Sequence, residues 1–552
     1  MEKIWGKSYQ DGVPLEIAEY DHDSIPDILE NAFKAFSDLP AYHNMGTTLS
    51  FRELDLESRA FASYLQNELK LQKGDRVALM MPNILQYPVA LFGLLRAGLV
   101  AVNVNPLYTA RELEHQLQDS GAGTVVIFEN SAHILEKVIQ NTDVKHVITT
   151  GIGDLLKFPK SLIVNFVLKH VKKMVPAWNI PHAVNFKAAL SKGDPAQFRP
   201  ASLNLEDIAF LQYTGGTTGV SKGAVLTHGN LVANVTQAKT WIKPVTGEGE
   251  DIIITALPLY HIFSLTANCL TFTAIGALNV LITNPRDIPN FVKELNSWDF
   301  TVITGVNTLF NALVSNPDFQ KMNFGSLKLA LAGGMALQES VAGAWKNTTG
   351  APLIEAYGLT ETSPAVCMNP MNLTEYNGFV GLPISSTDVA IKDDDENNLP
   401  VGEVGEICIK GPQVMKEYWQ RPEETEKVFS PDGFFKTGDV GFMSPDGFVK
   451  IVDRKKDMIL VSGFNVYPNE IEDVVAGHHK VFECGAVGVS DEKSGEVVKL
   501  FVVKKDPSLT EDEMRSFCKE KLAGYKVPKY IEFREDLPKT NVGKILRKEL
   551  RE

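Results

Sequence analysis

Short apolar runs alternate with longer amphipathic stretches over the first 450 positions, and that rhythm leaves few architectures open to the chain. The runs Arg76–Met81, Leu99–Val104, Thr124–Phe128, Ile252–Leu257, Asn279–Thr283, Thr301–Thr304 and Leu327–Leu331 are apolar almost throughout. Strands covered on one face alternate polar and apolar residues, whereas continuous runs mark strands buried on both faces. The pattern predicts an α/β fold of mostly parallel sheets covered by helices. Ser50-Phe51-Arg52-Glu53 forms a capping box that opens a helix towards Leu69. Lys73-Gly74-Asp75 then turns the chain into a strand, and a helix over Tyr87–Arg96 follows.

After Gly378 the texture changes. Short strands at Asp388–Lys392 and Gly405–Lys410 flank the acidic segment Asp393–Asn397, which reads as a solvated hairpin tip. From residue 453 onward the chain carries a helix (Pro468–Ala476), strands (Ala486–Val489, Val497–Val503), a helix (Glu511–Leu522) and a basic tail. That length suits a separate α+β domain.

Composition excludes several classes. The net charge of −14 disfavours a nucleic-acid partner, which requires a basic footprint. Cys269, Cys367, Cys408, Cys484 and Cys518 form no Cys-x-x-Cys pair, so neither a disulfide framework nor a zinc site is expected. His478 and His479 are adjacent and are expected to point apart on a helix. The opening Met-Glu-Lys-Ile-Trp-Gly-Lys has no signal-peptide core, and the run Pro88–Val102 is broken by Arg96. The expected location is the cytoplasm, with any membrane contact made from the inner face of the cell membrane. Ser161–Pro176 combines an apolar face with Lys169, Lys172 and Lys173. It reads either as a helix packed on the core or as one lying in a lipid interface. The sequence leaves a homodimer open.

Residues 213 to 223, Tyr-Thr-Gly-Gly-Thr-Thr-Gly-Val-Ser-Lys-Gly, carry the strongest chemical signal. Glycines let backbone N–H groups approach a polyphosphate, hydroxyls donate to it, and Lys222 adds charge. A Walker A loop needs Gly-Lys-Ser/Thr at its end, whereas Lys222 lies between Ser221 and Gly223. Nucleotide phosphate binding outside the P-loop NTPases is the reading.

Further segments recur in order: Tyr357-Gly358-Leu359-Thr360-Glu361, Thr437-Gly438-Asp439, Asp453-Arg454-Lys455-Lys456-Asp457 and Asn541-Val542-Gly543-Lys544. With the Gly/Thr loop they resemble the motif series of the acyl-adenylate-forming superfamily, from about residue 30 to the end. Asp432–Lys456 resembles the signature segment of fatty acyl-CoA synthetases, and Pro258–Phe263, Asn284–Pro289 and Ile459–Glu470 look like the bacterial long-chain members that feed β-oxidation. The resemblance implies a large N-terminal domain (1–452) with a β-barrel-like subdomain, a hinge (453–458) and a small mobile α+β C-terminal domain (459–552). It also implies a reaction in which a fatty carboxylate attacks ATP, pyrophosphate leaves, and coenzyme A displaces AMP.

The resemblance assigns roles residue by residue. Thr214, Gly215, Gly216, Thr217, Thr218, Gly219 and Lys222 would hold the phosphates, and Thr214 and Glu361 a Mg2+ ion. Gly333, Glu355, Ala356, Tyr357, Gly358 and Thr360 would shape the adenine slot. Asp439 would accept the ribose hydroxyls, with Arg454 and Lys456 beside it. Lys544 would stabilise charge at the α-phosphate. His261, Leu265, Gly305 and Val306 would line an acyl tunnel, Asp453 would be the pivot, and Ser462, Gly463 and Phe464 would meet coenzyme A. A tryptophan gate known in one relative is replaced here by Leu265. Open alternatives are a medium-chain or aryl-carboxylate CoA ligase, a carrier-protein acyl-adenylating enzyme, and a non-catalytic fatty-acid binding or uptake protein.

Overall fold

The computed structural model describes residues 3–214, 221–491, 493–540 and 543–551. Two large mixed sheets dominate it. One has the strand order Leu382–Pro383, Ala365–Met368, Leu353–Gly358, Leu329–Ala332, Val302–Gly305, Ile252–Thr255, Leu278–Leu281, Pro40–Asn44 and Thr47–Ser50. Its interior pairs are parallel, and antiparallel pairs close both ends. The other runs Glu417–Tyr418, Lys222–Thr227, Ile208–Thr214, Val100–Asn103, Arg76–Met80, Thr124–Phe128, His146–Thr150 and Val184–Asn185. The apolar runs are these buried strands: all five residues of Thr124–Phe128 are sealed from water.

Local chemistry sets the element ends. Ser50 Oγ accepts from Glu53 N at 3.1 Å, and Ser50 N donates to Glu53 Oε2 at 2.8 Å, so the helix Phe51–Ser63 starts at the expected capping box. One continuous core joins this helix and the helices Ile25–Ala35 and Gln86–Arg96 to both sheets through Phe33, Phe92, Leu79, Phe210 and Leu281. Each such side chain sealed from water contributes on the order of 2–3 kcal/mol. Arg96, which interrupts the run Pro88–Val102, is buried as an ion pair: it donates to Glu30 Oε1 at 2.6 Å and to Ser58 Oγ at 2.6 Å.

A four-stranded antiparallel sheet (Asp388–Lys392, Gly405–Lys410, Phe435–Met443, Val449–Arg454) follows, tied to the first large sheet by a bridge between Gly381 and Val449. The acidic tip Asp393–Asn397 is a hairpin end in which Asp393 Oδ1 accepts from Asn397 N at 2.8 Å and Asp395 N at 3.0 Å. The last sheet comprises Phe464–Val466, Ile459–Val461, Gly495–Lys504, Val481–Asp491 and Tyr530–Arg534, and it packs on the helices Pro468–Ala476 and Glu511–Lys521. His478 and His479 do not point apart. The helix ends at Ala476, and their rings stack at 4.8 Å.

Segment 161–176 departs from the packed-helix reading. A helix over Lys160–Phe166 runs into a π-helical turn over Val167–Val171, and Phe158, Leu162, Ile163, Phe166, Val171 and Met174 are all more than half exposed. Among the described residues no helix is long and apolar enough to cross a membrane.

Candidate active site

The carboxyl ends of parallel strands converge on one cleft of about 2620 Å³ that the C-terminal sheet and tail also line. Ligands of open α/β sheets bind at such ends. Thr214 ends its strand there, Gly333 follows Leu329–Ala332, and Gly358 ends Leu353–Gly358. The strand ending in Thr214 packs against the turn Thr360–Thr362, which brings Thr214 and Glu361 to one wall. Gly215, Gly216, Thr217, Thr218 and Gly219 lie outside the described residues.

Asp439 is a carboxylate of the site with both oxygens engaged. It is buried, and its Oδ2 accepts from the Tyr357 hydroxyl at 2.6 Å. Its Oδ1 pairs with Arg454 Nε at 2.9 Å. The second contact follows from register: Asp439 and Arg454 face each other across Phe435–Met443 and Val449–Arg454. Tyr357, expected as a stacking face, thus also orients Asp439. Gly333 keeps the neighbouring slot open, since a Cβ there would stand 3.1 Å from the Phe263 ring and 3.2 Å from Ala356 O. Glu355 lies beneath, where burial pushes its carboxyl up to about 8 although Leu337 N donates to it at 3.2 Å.

Lys544 enters the cleft from the C-terminal tail. Thr308 Oγ1 donates to Gly543 O at 3.1 Å and anchors the turn. Burial, and then the cation of Arg454, pull the Lys544 ammonium down to about 8. Lys456 falls to about 8 for the same two reasons in the same order. His261 lies close by: burial and then the Lys544 charge lower it to about 4, so it is neutral, and its Nδ1 accepts from Phe263 N at 3.3 Å. The tail is locked by Arg547, which donates to Asp453 Oδ1 at 2.9 Å and to Glu472 at 3.0 and 2.7 Å. Asp453 also accepts from Asn469 N at 2.8 Å.

Not every expected residue reaches the cleft. His261 lines it, but Leu265 belongs to the core, Gly305 packs against Phe310, and Val306 is buried beneath Gly334 and Gly543. The apolar lining comes instead from Ile262, Phe263, Ala267, Leu331, Met335 and Met368. The tunnel expectation named residues by proximity in sequence, and alternate side chains of one segment face opposite ways. Ser462 and Gly463 form a turn with φ of 51° and 87°, and Phe464 is exposed and stacked on Tyr525 at 4.8 Å, away from the cleft lining. Lys222 reaches the cleft wall and is ion-paired to Glu424. Sequence reasoning missed Tyr418, Arg547 and Glu472 as partners of the site. Only strand pairing (Tyr418 with Ala224) and the return of the tail disclose them.

A family model described as AMP-binding enzyme matches residues 29–419, and one described as AMP-binding enzyme C-terminal domain matches 470–544. The chain belongs to the AMP-binding enzyme family. This AMP-binding enzyme is 56% identical over 552 residues to a long-chain-fatty-acid–CoA ligase of Salmonella typhimurium, covering all of this chain and 98% of that one. It is 57% identical over 554 residues to one of Haemophilus influenzae with the same coverage. A feruloyl-CoA synthase of Amycolatopsis is 33% identical over 93% of this chain and 95% of that one. Among solved structures, an anthranilate CoA ligase with anthranoyl-AMP superposes with a TM-score of 0.85 at 25% identity, covering 98% of this chain and 97% of that chain. The MatB protein of Rhodopseudomonas palustris covers 95% of this chain and 98% of its own at 28% identity, with TM-scores of 0.82 for the ATP-bound form and 0.72 for the ligand-free form.

Proposed function

We propose that this AMP-binding enzyme is a long-chain fatty acid–CoA ligase that works through an acyl-adenylate. The observation that carries the adenylating half is Lys544. A lysine held in a cleft, beside a second cation and at a cost to its own charge, is arranged for an anion that arrives later. Joining a carboxylate to the α-phosphate of ATP brings two anions together, so charge neutralisation dominates the barrier. Lys544 places its ammonium at the α-phosphate, Asp439 accepts the ribose hydroxyls, and Arg454 holds Asp439 against them. The greater likeness to ATP-bound than to ligand-free MatB supports the same arrangement of the lobes.

Magnesium fits the donor set. Among the described residues no cluster of three or more His, Cys, Asp or Glu side chains forms a metal cage. Mg2+ in phosphoryl-transfer sites takes one or two protein oxygens and completes its shell with phosphate oxygens and water. Glu361 and the Thr214 hydroxyl would be those protein oxygens, and the ion would supply charge neutralisation at the phosphates.

The fatty chain lies along Ile262, Phe263, Ala267, Leu331 and Met335, where each buried methylene adds about 0.8 kcal/mol. Identity of 56–57% to long-chain ligases supports this acyl class over aryl acids, whose relative stands at 33%. For the second half, the domain after 453–458 turns about Asp453, withdraws Lys544 and carries Ser462–Phe464 to the thiol. The exposed apolar face of 161–176, with Lys169, Lys172 and Lys173, rests on an anionic membrane surface and takes fatty acid from it.

The deciding experiment gives the purified enzyme oleate and ATP with and without coenzyme A. Pyrophosphate and oleoyl-AMP form without coenzyme A, and oleoyl-CoA with it. Absence of oleoyl-AMP refutes the reading, and adenylate without thioester assigns another acceptor. Flotation with anionic vesicles, lost in a Leu162→Asp/Phe166→Asp variant, tests the surface; undiminished flotation of the variant refutes it.

A further inference from the structure

Glu361 is gripped by a segment that the adenylating chemistry does not itself require. The Tyr418 hydroxyl donates to Glu361 Oε1 at 2.7 Å, and Met415 N donates to Glu361 O at 2.7 Å. Tyr418 is 6% exposed and is fixed in turn, because its backbone N–H donates to Thr425 Oγ1 at 3.0 Å and its strand pairs with Lys222–Thr227. The Lys222 ammonium stands 5.1 Å from the centroid of the Tyr418 ring while it pairs with Glu424. One short segment therefore holds a carboxylate by its edge and a lysine by its face, both on the cleft wall.

We propose that Tyr418 is a positioning residue that sets the Glu361 carboxylate for magnesium-bound ATP. The inference rests on the reading of Glu361 as a metal-holding residue. A carboxylate that accepts a hydrogen bond on one oxygen can rotate little, so its second oxygen is aimed. Here Oε1 is the held oxygen, and among the described residues Oε2 has no hydrogen-bond or ion-pair partner. Groups that orient a metal ligand in this way change metal affinity by about 10- to 100-fold when they are removed.

The test compares full-length wild type, Tyr418→Phe and Glu361→Gln. Phenylalanine keeps the ring over Lys222 and removes only the donor. Two quantities are measured: the magnesium concentration for half-maximal adenylation, and the affinity for ATP in chelator without metal. Tyr418→Phe is expected to raise the magnesium requirement by about tenfold or more, leave metal-free ATP affinity and the KM for oleate unchanged, and recover its rate at saturating magnesium. An unchanged magnesium requirement in Tyr418→Phe, beside a raised one in Glu361→Gln, overturns the positioning role alone. A rate loss that magnesium does not restore, or an equal loss of metal-free ATP affinity, assigns Tyr418 a merely structural role and also overturns it. An unchanged requirement in Glu361→Gln removes the metal reading itself.

Discussion

Replacing Lys544 by methionine separates what the lysine costs from what it contributes. The ammonium titrates near 8 in the cleft against an ordinary 10.5. At about 1.4 kcal/mol per pH unit, the charged form is disfavoured there by about 3 kcal/mol at pH 7. The sign is fixed by the direction of the shift. A lysine lowered on folding destabilises the ligand-free closed form below its folded value, and the penalty fades as pH rises from 8 towards 10.5. Lys544→Met keeps the length and apolar body of the side chain and deletes the charge. The ligand-free variant is therefore expected to melt higher than wild type at pH 7, by an amount bounded by that penalty, and the gap is expected to close by about pH 10.5. Adenylation moves the other way. A preorganised donor at developing charge is worth roughly 2.7–4 kcal/mol, so the rate of oleoyl-AMP formation should fall about 10²- to 10³-fold. Thioester formation from supplied oleoyl-AMP should survive. Differential scanning calorimetry across pH and single-turnover assays of each half-reaction measure both quantities. A lower melting temperature at pH 7, or equal loss in both halves, would falsify the account of Lys544 as a buried cation awaiting phosphate.

Other variants probe the neighbouring contacts. In wild type, kcat/KM for ATP should fall as pH rises through about 8, where Lys544 loses its proton, and a flat profile to pH 9.5 contradicts that. Tyr357→Phe removes one donor from Asp439 and should weaken ATP binding by about 1–3 kcal/mol in calorimetry while the KM for coenzyme A stays put; unchanged ATP affinity denies Asp439 its orienting partner. Arg547→Ala leaves Asp453 and Glu472 as buried carboxylates without their cation and should destabilise the tail by about 3–5 kcal/mol in denaturant unfolding, and a loss under 1 kcal/mol would show that the pairs are slack. Asp453→Pro fixes φ at the pivot and also removes a partner of Arg547 and Asn469, so overall turnover should stall; full turnover refutes a turn there.

Much of the scaffold is legible in the sequence because burial on both faces writes itself as uninterrupted apolar runs. Thr124–Phe128, Asp388–Lys392 and Gly405–Lys410 lie where they are expected, and the Ser50 box starts its helix through the two hydrogen bonds that define it. Motifs also carry Asp439, Arg454, Glu361 and Lys544 to one cleft. Tertiary partnership is what one-dimensional pattern cannot hold. Tyr418 lies 57 residues from Glu361, and Arg547 lies 94 from Asp453. Neither pair has a local signature, because a contact between elements distant in the chain is set by how they pack and not by spacing. Leu265, Gly305 and Val306 lie off the cleft lining for a related reason: an apolar residue beside a cleft-lining one is as apt to face the core. The adjacent histidines stack because the helix stops two residues before His478, and a helical projection does not apply past its end.

The charges of the cleft divide into those already satisfied and those left in want, and in the proposed two-step reaction that division would account for one arrangement suiting only half of the chemistry. Arg547 is saturated by Asp453, Glu472 and Asn469, all close to the turn between the lobes. Glu472 and Asn469 sit in the same lobe as Arg547, so these contacts fix the tail on its own domain; the hydrogen bonds that cross to the large lobe are Thr308 Oγ1 to Gly543 O at 3.1 Å, Asn311 Nδ2 to Phe482 O at 2.9 Å and Glu339 N to Asp473 Oδ1 at 3.3 Å, which together favour the closed form by about 3 kcal/mol. Lys544 pulls in the opposite sense by about 3 kcal/mol until an anion joins it. With ATP in place the two terms act together and the lobes stay shut over the carboxylate and phosphate. Once pyrophosphate has left, part of the negative charge beside Lys544 goes with it, and the lysine again opposes the cross-lobe hydrogen bonds with nearly equal strength. Two opposed terms of similar size leave the closed form only slightly favoured. The proposed turn about Asp453, which would expose the adenylate to a thiol, then needs no further energy source than the loss of the first product.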